Sequence, residues 1–276
     1  MYSVHPVERL IQVDGLITIY DFARPKGFYF QGESHDFWEC VYVREGEVTA
    51  TADERVYQLG AGKLLLHKPM EFHRIWSSED CAPWIVNISF QAHGALTEKL
   101  SCRCFDLRPE QQVRLFEIVN TFTQVKISMD AGLLDQHRAF VNLTAAQLEA
   151  FLIDLANSEL YSSPSRSPSD ERYSRIVQIM KSNCHRNLSL DELAQLCQMS
   201  VSNLKRVFRQ YSDMGIAKYF LTLRMRYAME LLEKGTPANQ VAEILNFPDT
   251  AYFYTVFKRE TGITPAQYRR QKQQAQ

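Results

Sequence analysis

Short β-rich runs, separated by Gly, Pro and Asp turns, fill the chain from residue 14 to about 92. Leu16-Ile17-Thr18-Ile19-Tyr20 is the first. A strand runs from Phe37 through Val43, Arg44-Glu45-Gly46-Glu47 is a turn, and Val48-Thr49-Ala50-Thr51 returns. Tyr57 to Leu66 is interrupted by Gly60-Ala61-Gly62, and Trp84 to Phe90 closes the set. Several short strands with turn residues between them predict a small sandwich or barrel.

The pattern then changes to a helical period. Residues 109–127 form one predicted helix, with Pro109 where a first-turn proline is tolerated. Residues 134–161 form another, with Val141, Ala145, Leu148, Leu152 and Leu155 at alternating spacings of four and three. Phe140, Phe151 and Ile153 broaden that face. Two uses of the stripe stand open: packing on the barrel, or a dimer seam of about three heptads. Residues 162–170, with five serines and two prolines, read as a linker that forms no helix. Beyond it the chain is helical and carries a degenerate repeat. Leu193-Ala194 followed by Val207-Phe208-Arg209 is echoed by Val241-Ala242 followed by Val256-Phe257-Lys258. Each copy reads as helix, short turn, helix, and a long helix from Ile216 to Lys234, ended by Gly235, joins them.

Composition adds a class and a compartment. With 276 residues, 45% hydrophobic and 23% charged, the chain has the composition of globular proteins and room for about two domains. No apolar run reaches the ~18–20 residues of a membrane span, and the N-terminus lacks the layout of a signal peptide. Six cysteines are too sparse for a disulfide scaffold, so a reducing cytoplasm is expected. The net charge of −1 conceals a division. Residues 171–276 hold 16 Lys/Arg and 9 Asp/Glu, a net of +7, and residues 1–170 carry a net of −8. Such asymmetry is expected when one domain meets a polyanion.

The repeat supplies a chemistry for that charge. Ser189 is a predicted N-cap with Glu192 as its capping-box partner, and Ser200 caps the next helix. At 100° per residue, Val201, Leu204, Val207, Phe208 and Tyr211 share one arc. Ser202, Lys205, Arg206 and Arg209 share the opposite one, with Asn203 beside them. Such side chains reach guanine edges and phosphates from a helix in a major groove. In the second copy the outward positions are Ala251, Thr255, Lys258 and Arg259. Ala251 and Thr255 suit a thymine methyl but cannot bind guanine bidentately.

Residues 171–276 resemble the DNA-binding domain of the AraC/XylS family of bacterial transcription regulators. The resemblance rests on Leu193-Ala194, Met199-Ser200, Leu204 to Phe208, Arg224, Ala228 and Leu231-Leu232. In the second copy it rests on Val241-Ala242, Phe247, Phe253, Phe257-Lys258, Gly262, Thr264-Pro265 and Tyr268-Arg269. It implies two helix-turn-helix units held by a rigid helix and entering successive major grooves. Where the family usually has Gly-Phe this chain has Asn246-Phe247, and Asn can take the left-handed backbone such a turn needs.

The N-terminal strands resemble the cupin-like sensory domain of the same family. The carrying residues are His35 to Glu39, Gly46, Gly62 and Pro69-Met70-Glu71-Phe72-His73. Metal cupins place a His two residues before the one matched by His35; here that residue is Glu33. His35, Phe37 and Glu39 are expected on one strand face, giving a polar cavity with His73. The reading taken is a metal-free effector pocket of His35, Glu39 and His73, with Arg24 and Trp38 as further lining. A metal site of the facial-triad type and a structural role for the two histidines stand as alternatives. The Cys102-Arg103-Cys104 pair is too close for a zinc half-site.

The expectation is therefore an α+β protein of two domains. Residues 1–161 form a cupin-like β-barrel with a helical packing or dimerisation segment, residues 162–170 a linker, and residues 171–276 an all-α domain with two helix-turn-helix units. Its function is that of a DNA-binding transcription regulator under a sugar or other metabolite, not an enzyme, and with no cofactor. Its partners are double-stranded DNA, the effector, a second copy of itself and RNA polymerase, and no membrane. The rival, a cupin-type metalloenzyme with a helical accessory domain, explains neither the repeat nor the charge division and lacks one histidine.

Overall fold

The computed structural model describes residues 5–101, 103–158, 160–161 and 167–274. Cys102 and residues 162–166 of the expected linker lie outside them. The chain divides into two compact units, Met1–Ala52 with Val56–Ser165, and Asp53–Arg55 with Arg166–Gln276.

The first unit is a β-sandwich with helices on one face. Its strands are β1 (Gln12–Ala23), β2 (Tyr29–Glu33), β3 (Trp38–Glu45), β4 (Glu47–Ala52), β5 (Arg55–Gly60), β6 (Lys63–His67), β7 (His73–Trp76), β8 (Trp84–His93) and β9 (Arg103–Asp106). The larger sheet has the order β1-β8-β3-β6-β9 and the smaller β2-β7-β4-β5. The expected turns at Arg44–Glu47 and Gly60–Gly62 are the β3–β4 and β5–β6 connections. β1 begins at Gln12, four residues before the expected run, and β2, β7 and β9 are strands that the sequence pattern did not announce. Each of those three has only four or five residues, too few for a period to declare itself.

Strand β3 is buried on both sides from Trp38 to Val43. Val41 and Val43 face the smaller sheet, with Val48, Ala50, Leu59 and Leu65. Trp38, Cys40 and Tyr42 face the helices, with Leu64, Ile88 and Phe90. The helices there are α1 (Thr97–Leu100), α2 (Pro109–Asp130) and α3 (Leu134–Ala156).

Helix α3 settles the two uses of its stripe. Leu148, Phe151, Leu152 and Leu155 are fully buried in the core against the larger sheet, so the stripe through Leu148 and Leu152 is not a seam between copies. The helix also stops at Ala156, not at residue 161. Leu160 bridges to Phe105, and the Tyr161 N–H donates to the Cys104 carbonyl at 2.9 Å, continuing the edge of β9. Against the expectation from apolar runs, α3 is long and apolar enough to cross a membrane by length and composition, with a mean hydropathy of 1.3. A helix that lends one face to a core passes the same test, and α3 carries Asp135, Arg138, Glu149 and Asp154.

From Pro168 onward the regular elements of the second unit are helices: α4 (Pro168–Ser182), α5 (Leu190–Leu196), α6 (Val201–Arg209), α7 (Ile216–Glu233), α8 (Ala238–Ile244), α9 (Thr250–Thr261) and α10 (Pro265–Gln274). Residues 168–170, expected in the linker, are instead the first turn of α4. Pro168 takes a position that needs no N–H, Ser167 accepts from the Asp170 N–H at 3.1 Å, and Asp170 accepts from the Ser167 N–H at 2.7 Å. Serine and proline are breakers inside a helix and starters at its first turn, and position decides between the two. The box at Ser189–Glu192 and the cap at Ser200 form as expected.

Core status for Leu152 has a measurable consequence. Leu152→Ala should destabilise the protein by about 2–5 kcal/mol. Denaturant unfolding measures this, and sizing of the folded variant should match wild type. A change in assembly without loss of stability would contradict the placement.

Candidate functional site

The two halves of the second unit repeat at the level of the backbone. Gln198 has φ +58° and Asn246, 48 residues later, has φ +52°. In each turn the following residue closes the same bond at 2.9 Å, Met199 N–H to the Ala194 carbonyl and Phe247 N–H to the Ala242 carbonyl. The expected left-handed Asn246 is therefore present, and Gln198 bears the same conformation with a longer side chain.

Helix α6 buries Leu204, Val207 and Phe208 and turns Ser202, Lys205, Arg206 and Arg209 to solvent. Asn203 is half-buried, and its Oδ1 accepts from Arg206 Nη2 at 2.8 Å. Lys205 and Arg209 also border a cleft of about 360 Å³ lined by Leu193, Phe208, Ile216 and Phe220. Helix α9 buries Phe253, Val256 and Phe257 and exposes Ala251, Thr255, Lys258 and Arg259. The Thr255 hydroxyl donates to the Ala251 carbonyl at 3.0 Å, which leaves its methyl as the outward group. Arg259 is held by Glu260 at 2.9 Å. Tyr252, 51% exposed in the first turn of α9, joins this face and was missed by the sequence reading. The run Ala251-Tyr252-Phe253-Tyr254 does not reveal which ring turns outward.

Arg224 of α7 ties the two halves together. It is 5% exposed. Its Nε donates to the Cys184 carbonyl at 3.2 Å and its Nη2 to the Leu245 carbonyl at the end of α8. Its guanidinium lies 4.5 Å from the centre of the Phe247 ring. One rigid fork thus spans the segment before α5 and the turn after α8.

In the first unit, Ser89, Glu39 and His67 form one rung across β8, β3 and β6, and paired residues point to the same side of a sheet. Glu39 belongs to the set that faces the smaller sheet. There His73 on β7 pairs with Glu33 on β2, in a ladder shifted by the bulge after Phe30. Gly32 permits that bulge: its φ is +94°, and a Cβ there would lie 2.8 Å from the Phe72 ring and 2.9 Å from the His73 carbonyl. His35 lies in the bend before β3, not on a strand as expected, and its ring stacks on Phe37 at 3.6 Å. The Met70 N–H and the His35 carbonyl clasp this bend to the loop before β7 at 2.5 Å.

These placements bring His35, Glu39 and His73 together as the sequence suggested. His73 Nε2 is 3.4 Å and His35 Nε2 is 3.7 Å from the Glu39 carboxylate. Glu33, where a histidine was looked for, adds its carboxylate 3.9 Å from His35 Nε2. Burial would raise the Glu39 carboxyl, but the facing imidazoles hold it well below the ordinary range. Burial would lower His73, and the Glu39 carboxylate raises it. His67 is lowered chiefly by burial, and its Nδ1 pairs with Glu71 at 2.9 Å. Ser89 Oγ donates to Glu39 at 3.2 Å. One expected lining residue, Trp38, lies elsewhere. Trp38 faces the helix side of β3, because neighbours on a strand point to opposite faces. Arg24 lies over the rings of Phe22 and Phe28 at 3.9 and 4.7 Å. Ser89 and His67 went unassigned because only strand register joins them to Glu39, and Glu71 follows through its contact with His67.

Known proteins resemble both units. Residues 193–271 match the family described as a helix-turn-helix domain, and residues 18–112 the family described as an AraC-like ligand binding domain. The HTH-type transcriptional activator RhaR of Escherichia coli O139:H28 is 26% identical over 251 residues, covering 87% of each chain. RhaR of Shigella flexneri matches with the same identity and coverage. Among solved structures, ToxT from Vibrio cholerae O395 aligns with 95% of this chain and 98% of its own, at 15% identity and a TM-score of 0.38.

The Arg224 clamp predicts that Arg224→Met loses two charge-assisted bonds and leaves two buried carbonyls unmet. A loss of about 2–3 kcal/mol is expected in denaturant unfolding. Wild-type stability would remove the clamp from the account.

Proposed function

The chain belongs to the AraC family of transcription regulators, and from that premise we propose how it works: α6 and α9 read double-stranded DNA, under the control of a small molecule held at the His35–Glu39–His73 cluster. The observation that carries this reading is the pair of capped helices with matching left-handed turns, each turning a polar face to solvent. Helix α6 offers Arg206 as the reader of a guanine edge, with Ser202, Asn203, Lys205 and Arg209 around it. Helix α9 offers apolar contact from Ala251 and the Thr255 methyl, with Lys258 and Arg259 as phosphate anchors. Non-enzymatic action, a cytoplasmic location and RNA polymerase as a further partner belong to the same reading.

The match of residues 18–112 to an AraC-like ligand binding domain lends support to control by an effector, and so does the cluster itself. It is a set of ionisable groups between two sheets, where a purely structural core would place apolar residues.

Pairing of two copies has a different surface from the one first expected. On α3, Ala139, Leu143, Ala146, Ala150 and Ile153 recur at spacings of four, three, four and three, and all are exposed. This stripe lies opposite the one spent on the core. We assign it to a homodimer seam.

Two experiments test the reading. Arg206→Ala should weaken a cognate site far more than random DNA, by about 1–3 kcal/mol at one base pair. Lys258→Ala should weaken all sequences alike and reduce the salt slope of binding by about one. Binding to a library of operator variants reads both, and the reverse pattern exchanges reader and anchor. Separately, the double substitution Leu143→Glu with Ile153→Glu should produce monomers with stability within about 0.5 kcal/mol per site. Sedimentation of wild type as a monomer, with and without DNA, would end the seam.

A further inference from the structure

We propose that the cleft between α5, α6 and α7 in the second unit binds a small aryl carboxylate, and that this ligand and DNA exclude each other. The site is separate from the His35–Glu39–His73 cluster. It rests on the DNA reading of α6 only for the second clause.

The walls define an apolar body. The cleft holds about 360 Å³, at the lower end of the ~300–1,000 Å³ of small-molecule sites. Leu193 of α5, Phe208 of α6, and Ile216 and Phe220 of α7 form its interior. Leu188, Leu190 and Met214 are half-buried and Ala217 is exposed, so this apolar lining opens to water. An apolar hollow of this kind with a few charges at its edge is the composition of a ligand site. The rings of Phe208 and Phe220 favour an aromatic body over an aliphatic one, and Met214 is an unbranched, adaptable wall.

The rim defines the charge. Lys205 and Arg209 lie one turn apart on α6, and both border the cleft and are exposed. Among the described residues neither has a hydrogen-bond or ion-pair partner. Asp213 is the one carboxylate among the lining residues, so the cations outnumber it. Helix α7 begins at the same cleft. Its N-cap is Gly215, no side chain caps it, and a Cβ on Gly215 would meet nothing within 4 Å. The positive end of an 18-residue helix therefore adds to the two cations. A carboxylate suits this rim, because the Arg209 fork can donate to both of its oxygens. The neighbouring hollow, which shares Leu188, Ala217 and Phe220, lacks such free charge. There Arg224 is spent on two carbonyls and Arg259 on Glu260.

The consequence follows from shared groups. Lys205 and Arg209 stand on the face assigned to DNA, so an acid that engages them removes two contacts from the duplex. Linkage makes the exclusion reciprocal: DNA weakens the acid by the same factor.

The test uses the full chain and 3-phenylpropionate as probe, with 3-phenylpropanol and inorganic phosphate as controls, read by calorimetry. One molecule of the acid per chain is expected. The alcohol, which keeps the ring and lacks the charge, should bind at least about tenfold more weakly. Phosphate, which has charge without an apolar body, should not bind at the same concentration. Ala217→Trp, at an exposed helix position with folding checked by circular dichroism, should fill the cleft and abolish binding. Lys205→Gln with Arg209→Gln, also exposed, should weaken it at least about tenfold independently of cleft shape. No binding by wild type, phosphate binding as well as the acid, or binding unaltered in either variant overturns the proposal. Competition with a DNA duplex separates it from the DNA reading. Displacement of DNA by the acid in wild type but not in Ala217→Trp supports both. An acid that binds in the cleft and leaves DNA affinity unchanged keeps the site, overturns the exclusion and removes α6 from the DNA face.

Discussion

The period-two geometry of one strand organises the first unit. β3 is enclosed on both faces, and its alternate residues serve two cores. Trp38, Cys40 and Tyr42 meet the helices, while Val41 and Val43 meet the smaller sheet. A carboxylate at position 39 therefore points between the sheets, among groups that must neutralise or bind it. The rung through Ser89 and His67 and the facing His73 all follow from that one direction. A slip of one residue in β3 would place Trp38 in the cluster and Glu39 in the helix core, a loss that burial of an unpaired charge makes prohibitive.

The second unit depends on repetition. Two turns of the same shape let α5–α6 and α8–α9 present their second helices alike, although only a few residues agree between the copies. The chemistry on the two faces then differs: long cations on α6, and small apolar groups with two cations on α9. One repeated backbone shape thus carries two unlike sets of side chains. Arg224 joins the copies through the carbonyls of Cys184 and Leu245, so its bonds fix geometry away from the exposed faces of α6 and α9.

The cluster of the first unit departs from the pattern that its resemblance suggested at one position, Glu33. In sequence that departure reads as a lost ligand. In the fold, β2 pairs Glu33 with His73 and the Gly32 bulge brings the carboxylate to the same space, 3.9 Å from His35 Nε2. A carboxylate at that position adds a negative charge that an imidazole would not bring.

Much of this was determined by the sequence alone. The turns at Arg44–Glu47 and Gly60–Gly62, the caps at Ser189 and Ser200, the faces of α6 and α9, and the left-handed Asn246 are local. Propensity and period act within a few residues, where the chain is its own context. Tertiary structure decided the rest. It sent Leu148 and Leu152 into the core, leaving Leu143 and Ile153 outside, though all four lie on one apolar helix. It started α4 at Pro168, where serine and proline composition had argued for a linker. It set Trp38 apart from Glu39, and it joined Glu39 to Ser89 and His67 by register. Which face of an element is buried, and which distant residue lies across a sheet, are properties of a neighbour. No period within a single segment records them.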